Sequence, residues 1–96
     1  MSNLRFTWDE KKAATNLPKH HVSFEEALTV FADPLAHIFD DDEHSSDEPR
    51  EIIIGHTAKH RLTVVYFTQR GETLRLFGAR RATRKERRDY EENVGS

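Results

Sequence analysis

A chain of 96 residues that is 35% hydrophobic and includes six phenylalanines is long enough for one folded domain and too short for two, so we expect a single domain over residues 1–96. The absence of cysteine excludes disulfides, thiol catalysis and cysteine-based zinc sites, and no segment resembles a membrane span or signal peptide, which predicts a cytoplasmic protein. The net charge of −2 is the sum of an acidic segment from Asp40 to Glu48 and a basic segment from Arg75 to Arg88. The basic segment indicates either nucleic-acid binding or a solvated helix face.

The N-terminal segment predicts a strand followed by a helix. Apolar residues alternate in LRFTW, residues 4–8, as expected for a strand with one buried face. Asp9 can cap a helix over EKKAATNL, and we expect this helix to end or kink near Asn16 because Pro18 lacks an amide hydrogen.

A second helix is predicted from a capping box. Ser23 and Glu26 have the spacing at which a hydroxyl and a carboxylate satisfy free amides at a helix start. The helix should end at Asp33-Pro34. Its buried stripe is predicted to consist of Phe24, Ala27, Leu28 and Phe31.

After Pro34, the spacing of the apolar residues changes from that of a helix to that of strands. LAHIFD, REIIIGHT, RLTVVYFT and ETLRLFGAR predict an antiparallel meander, with the acidic loop after the first of them. The runs III and VV leave open that central strands are covered on both sides. One face is predicted to carry Ile52, Ile54, Val64, Tyr66, Leu74 and Leu76.

A highly charged helix closes the chain. Thr83 and Glu86 form its capping box, and Ala82, Tyr90 and Val94 are its only apolar anchors, so it should be the least stable element unless a partner covers it. The predicted fold class is α+β, with N-terminal helices packed on a small antiparallel sheet and a C-terminal helix.

The six histidines raise the question of metal or acid–base chemistry. The adjacent His20 and His21 would point in different directions and make a poor chelate, and no other histidine spacing favours a metal site. No glycine-rich nucleotide loop is present, so no metal or cofactor is predicted. The remaining His, Glu, Arg, Lys and Tyr side chains suit RNA cleavage, because RNA supplies its own nucleophile in the 2′-hydroxyl.

Three long segments resemble the BrnT toxin family of bacterial type II toxin–antitoxin modules. They are FTWDEKKAATNLPKHHVSFEEALTVFADP, DDDEHSSDEPREIIIGHT and LRLFGARRATRKERRDYEE, and together they span nearly the whole chain. The resemblance rests on an ordered series of residues: Trp8-Asp9, Lys12-Ala13, Asn16, Lys19-His20, Val22, Phe24, Asp42, His44, Glu48, Arg50, Gly55, Ala79-Arg80, Glu86 and Tyr90.

The resemblance implies a ribonuclease of RelE-like fold that stops translation in the bacterial cytoplasm. It also implies neutralisation by a BrnA-like antitoxin with a ribbon-helix-helix DNA-binding part, and we expect a two-plus-two complex. The chain departs from the family at two positions. His21 stands where the family usually has glycine, so a left-handed turn there would be strained, and Gly78 stands where serine is common, which removes a hydroxyl beside the predicted site.

Two arginines are candidate phosphate ligands. Arg80 lies where the last strand meets the final helix, and its guanidinium could form a fork on a phosphate or pair with Glu86 or the acidic loop. Arg50 starts a strand beside the acidic loop, and it could act on the substrate or form an ion pair with Glu48 or Asp47.

The remaining candidates also have two interpretations. His44 and Glu48 could act as base and acid, or could simply be solvated loop residues. Lys19 and His20 could be catalytic, or could complement the dipole at a helix end. RNA binding by the basic segment is assigned to Arg75, Arg81, Arg84 and Arg88.

The sequence therefore predicts a metal-independent endoribonuclease toxin that leaves a 2′,3′-cyclic phosphate. Two alternatives stay open. The same arginines would serve a non-catalytic nucleic-acid-binding module, and the charged helix would serve a protein-interaction domain.

Overall fold

The structure is a computed structural model that describes residues 4–43 and 48–94. Its elements confirm the α+β class and follow the predicted order, but the second predicted helix is α-helical only from Phe24 to Ala27 and continues as a 3₁₀ helix to Ala32. In chain order they are β1 Arg5–Trp8, α1 Glu10–His20, α2 Phe24–Ala27, a 3₁₀ helix Leu28–Ala32, β2 His37–Asp40, β3 Glu51–His56, β4 Leu62–Arg70, β5 Thr73–Arg81 and α3 Arg84–Val94.

The strands form one five-stranded sheet in the order β1-β5-β4-β3-β2. The meander from β2 to β5 is antiparallel, as predicted. The prediction of a wholly antiparallel sheet is wrong at one edge, because β1 pairs parallel with β5, from Arg5 opposite Thr73 to Trp8 opposite Leu76. No hairpin joins β1 to its neighbour, so no turn imposes an antiparallel direction on this pair.

Helix α1 continues past the point where it was predicted to end. Asp9 caps it as expected, accepting a hydrogen bond from the Lys11 amide at 2.8 Å, but the helix runs through Pro18 to His20. The proline deprives the Ala14 carbonyl of a helical hydrogen bond. Ala14 is exposed, so water can solvate that carbonyl and the last turn persists.

His21 ends α1 in the left-handed conformation, with φ 61° and ψ 26°. Its amide donates to the Leu17 carbonyl at 2.8 Å, as in other left-handed helix caps. Glycine adopts this conformation without strain, whereas a residue with a Cβ is strained by about 1 kcal/mol. The left-handed turn considered for this position is therefore present, and histidine occupies it.

A β-bulge in the β4–β5 pair decides which side chains share a face. Tyr66 lies opposite Gly78 and Phe67 opposite Leu76, so Phe77 has no partner on β4. The extra residue moves Leu74 and Leu76 to the face opposite Tyr66, which makes their predicted placement wrong.

Both faces of the central strands are covered, which is the alternative that III and VV left open. The face toward α1 and α2 carries the larger cluster, with Phe6, Trp8, Leu28 and Phe31 packed on a core of Val22, Phe24, Ala27, Val30, Ile53, Val65, Phe67, Leu74, Leu76 and Ala79. The face toward α3 carries a smaller cluster of Ile54, Leu62, Val64 and Tyr90, with Ile52, Tyr66 and Ala82 beside it.

The two capping boxes differ. In the second box, the Thr83 hydroxyl accepts from the Glu86 amide at 3.1 Å and the Glu86 carboxylate accepts from the Thr83 amide at 2.8 Å. In the first, the Ser23 hydroxyl accepts from the Glu26 amide at 3.0 Å, but the Glu26 carboxylate binds Arg61 instead of the Ser23 amide. The hydrogen bond from Arg61 lowers the pKa of buried Glu26, against the opposing effect of burial.

Candidate nucleic-acid interface

A groove of about 440 Å³ lies between α1 and β5, and we call it the cationic groove. Residues four apart on α1, such as Lys12 and His20 on either side of Asn16, lie on one side of the helix and so line the groove together. None of its described lining residues is a carboxylate. The lining consists of Lys11, Lys12, Thr15, Asn16, Lys19, His20, Phe77 and Gly78.

Asn16 fixes α1 against the sheet. Its side-chain amide donates to the Val22 carbonyl at 2.8 Å, and its side-chain oxygen accepts from the Ala79 amide at 3.2 Å. Asn16 is buried, so both bonds are protected from water. The groove wall formed by α1 is therefore held at a defined distance from β5.

Phe77 lies in the groove because the bulge leaves it without a partner on β4. The Arg50 guanidinium carbon lies 4.1 Å from the centroid of its ring, and the Lys12 ammonium nitrogen lies 5.3 Å from it. Both distances fall within the range of cation–π attraction. The ring is thus associated with two cations from different parts of the chain.

Gly78 connects the groove to a second set of polar side chains. A Cβ at this position would lie 3.8 Å from a Tyr66 ring carbon and 3.9 Å from the Asn16 side-chain oxygen, which are ordinary van der Waals distances. A serine here would fit with its hydroxyl near both residues, so space does not require the glycine.

Arg80, Glu86 and Tyr66 form a hydrogen-bonded group that we call the Arg80 cluster. Two guanidinium nitrogens of Arg80 donate to the two carboxylate oxygens of Glu86, each at 2.7 Å, and its third nitrogen donates to the Tyr66 hydroxyl at 3.1 Å. Of the partners considered for Arg80, Glu86 is the one in contact within the part of the chain that the structure describes. Hydrogen bonds from Arg80 hold the pKa of Glu86 at about 2, while burial opposes the shift and the Thr83 amide supports it. The same pair raises the pKa of Arg80.

An apolar cavity of about 230 Å³ adjoins the Arg80 cluster under α3. Tyr90 packs into this region, and its hydroxyl lies 3.4 Å from the Asp33 carboxylate. Asp33 also accepts a hydrogen bond from the His56 amide at 2.7 Å. Phe39 stands at the rim with 53% of its surface exposed. This part of the molecule is a surface suited to apolar contact.

The structure brings some of the predicted site residues together and not others. Lys19 and His20 line the cationic groove, and Arg50 contacts its aromatic ring. Arg80 belongs to the neighbouring cluster. Glu48 forms an ion pair with Arg70 outside the groove. His44 and Asp47 lie outside the described residues. The predicted RNA-binding residues Arg75, Arg81, Arg84 and Arg88 are all exposed.

Three residues of this region were not among the predicted site residues. Lys12 appeared only as a member of the family resemblance, Tyr66 was assigned to the core, and Phe77 was not assigned. A signal for Phe77 did exist, because Leu74 and Leu76 alternate with Arg75 and Phe77. An aromatic residue that shares the face of a strand with an arginine, opposite the face that carries the core residues, is typical of a binding surface.

Among residues 4–43 and 48–94, no three histidine or carboxylate side chains come close enough to hold a metal ion. Within the same ranges, no helix has the length and apolar character needed to cross a membrane.

Comparison with known proteins identifies the family. The sequence model described as the ribonuclease toxin, BrnT, of a type II toxin–antitoxin system matches residues 8–86. The crystal structure of the ribonuclease toxin BrnT from Brucella abortus shares the fold, with a TM-score of 0.65 and 24% sequence identity over 85% of this chain and 100% of that chain. No curated protein sequence gave a significant match.

The matched sequence model assigns the chain to the ribonuclease toxins of type II toxin–antitoxin systems, and the shared fold agrees with that class. Within that class, the chain belongs to the BrnT family, as its sequence resemblance indicated. Membership implies RNA as the target and an antitoxin as the partner.

Proposed function

We propose that the protein is a metal-independent endoribonuclease that cleaves RNA and so inhibits translation in the bacterial cytoplasm. The composition of the cationic groove carries the proposal. Three lysines and His20 lie side by side there, with no carboxylate among the described lining residues. Such a surface attracts the RNA backbone directly, and its lysines repel a divalent metal ion.

We assign proton transfer to His20 and phosphate binding to Lys12 and Lys19. The 2′-hydroxyl gives its proton to the imidazole while its oxygen attacks the adjacent phosphorus. The bond from phosphorus to the 5′-oxygen then breaks, and that oxygen takes up a proton from the imidazolium or from water. The products carry a 2′,3′-cyclic phosphate and a 5′-hydroxyl.

Arg80 would stabilise the negative charge that develops on the phosphate. Its N–H groups now hold Glu86, so a phosphate would compete with that carboxylate for the same donors. Tyr66, between Gly78 and Arg80, connects this cluster with the groove. Arg50 would add positive charge beside the groove. The alternative acid–base pair to His20 is Glu48 with His44 of the acidic loop.

The exposed arginines of the basic segment would steer RNA toward the groove without acting on the reacting atoms. They are Arg75, Arg81, Arg84 and Arg88. For the protein partner, we propose a BrnA-like antitoxin with a ribbon-helix-helix DNA-binding part in a two-plus-two complex. The apolar cavity under α3 and the exposed Phe39 support a contact surface on that side.

The decisive experiment incubates the purified protein with end-labelled single-stranded RNA in excess EDTA and identifies the product ends. We expect cleavage that continues with EDTA and leaves a 2′,3′-cyclic phosphate. His20→Asn should reduce the rate by roughly a hundredfold or more. His60→Asn is the matched control, because His60 is exposed in the β3–β4 turn with φ 63° and asparagine tolerates that conformation.

Loss of activity on chelation, or a 3′-hydroxyl product, would overturn the mechanism. Undiminished cleavage by His20→Asn would overturn the assignment of proton transfer. Salt-dependent RNA binding without any cleavage would favour the non-catalytic binding module instead.

A further inference from the structure

We propose that Phe77 is a stacking platform for one unpaired nucleobase of RNA, and that the cationic groove binds the phosphate attached to that nucleotide. This inference rests on the proposed function, because it names how the same groove holds its substrate. The bulge in β5 removes Phe77 from strand pairing and leaves its ring among the residues that line the groove.

One contact of the Phe77 ring comes from a residue that is not part of the groove lining. Arg50 lies 4.1 Å from the ring centroid, which is stacking distance, but it is not among the residues that line the groove. Its guanidinium therefore contacts the ring without being part of the groove lining, whereas Phe77 itself is part of that lining.

Lys12 lines the groove, and its ammonium lies 5.3 Å from the ring centroid, within the range of cation–π attraction. Lys12 is exposed, so its side chain can rotate at little cost to leave space for a base. After that movement its ammonium would lie close to the backbone of the same nucleotide. The groove of about 440 Å³ falls within the range of small-ligand sites, roughly 300 to 1,000 Å³.

The geometry selects an unpaired strand over a duplex. Every nucleobase has a π-face that can stack on an aromatic ring, but in a duplex both faces are covered by neighbouring base pairs. Gly78 adds no side chain beside the ring, and Tyr66 lies beyond it toward Arg80. A base on Phe77 would thus set the position of its phosphate along the path from the groove to the Arg80 cluster.

The test measures binding without cleavage, by fluorescence anisotropy with two labelled 2′-deoxy oligonucleotides of equal length. One carries all its bases and the other is abasic throughout. Phe77→Leu should weaken binding of the base-bearing strand by about fivefold to a hundredfold and leave the abasic strand unchanged, as expected for the loss of one stacked base. Phe77→Trp should retain the preference for bases.

Two further variants give the controls. Phe39→Leu removes an exposed aromatic ring outside the groove and should change neither affinity. Lys12→Ala should weaken both strands equally, because it removes a phosphate contact. Circular dichroism shows whether Phe77→Leu is folded. If it is unfolded, the proposal is tested by whether the wild type and Phe77→Trp both bind the base-bearing strand more tightly than the abasic strand.

Equal affinity of the wild type for the two strands would overturn the proposal, as would an equal loss on both strands in Phe77→Leu. No loss in that variant would overturn it as well. The binding test is independent of catalysis. A protein that shows this preference without cleaving RNA would overturn the proposed function alone, and one that cleaves RNA without the preference would overturn the stacking platform alone.

Discussion

Replacing Glu86 with glutamine should reveal how much the Arg80 cluster stabilises the fold. The substitution keeps the shape of the side chain and removes its charge. The pKa of Glu86 is about 2, compared with an ordinary value of 4.5. At about 1.4 kcal/mol per pKa unit this difference corresponds to roughly 3 kcal/mol. Because 32% of the Glu86 side chain is exposed, solvent screening reduces the expected loss to about 1 to 2 kcal/mol.

The loss should depend on pH in a defined direction. A carboxylate whose pKa is lower in the folded state stabilises fully above its unfolded pKa, and this contribution disappears as the pH falls through the folded pKa. The difference between the wild type and Glu86→Gln should therefore be constant near neutral pH and shrink between pH 4.5 and about 2.

Urea denaturation of both proteins at pH 7 and at pH 2.5 measures the difference directly. Glu91→Gln on the exposed side of α3 is the control and should match the wild type at both pH values. A Glu86→Gln protein as stable as the wild type at pH 7 would refute the reasoning. So would a deficit that is the same size at both pH values, because the charge of Glu86 would then not be its cause.

Further substitutions test the core, the buried ion pair and the arginines. Phe31→Ala should cost about 2 to 3 kcal/mol in a denaturant titration, less than for a fully buried phenylalanine, because the ring is only partly buried between Phe6 and Phe67. Glu26→Ala should lower the free energy of unfolding by about 3 kcal/mol, since it leaves Arg61 without its buried partner. Arg80→Ala should reduce single-turnover cleavage by roughly a hundredfold with little change in affinity for uncleavable RNA. Arg84→Ala should instead weaken the binding of uncleavable RNA at low salt and leave the single-turnover cleavage of bound RNA unchanged.

The sequence predicted the elements well because each has a local cause. Asp9, Ser23 and Thr83 cap helices through bonds to residues two or three positions away. Alternation located the strands, including β1. These signals depend on near neighbours along the chain, so a single sequence contains all the information that they need.

The long-range arrangement of the strands was not predicted, because it depends on contacts between residues that are far apart along the chain. The parallel pairing of β1 with β5 depends on residues about 70 positions apart, and no local pattern specifies it. The bulge at Phe77 arises only when β5 pairs with β4, and it reversed the predicted placement of Leu74 and Leu76.

The candidate site followed the same division. Lys19 and His20 were candidates from the sequence, whereas Lys12 and Phe77, which line the same groove between α1 and β5, were not. The groove exists because Asn16 attaches α1 to the sheet, a contact between residues 63 positions apart.

Asn16 also changes how the sheet ends. Strand β1 covers β5 only from Thr73 to Leu76, and beyond that point the Asn16 side chain accepts the bond from the Ala79 amide that a neighbouring strand would otherwise accept. An uncovered strand edge is a template on which a second molecule can add its own strand. A single amide side chain on a helix thus satisfies the Ala79 amide at this edge of β5, and the same residue attaches α1 to the sheet and shapes the groove.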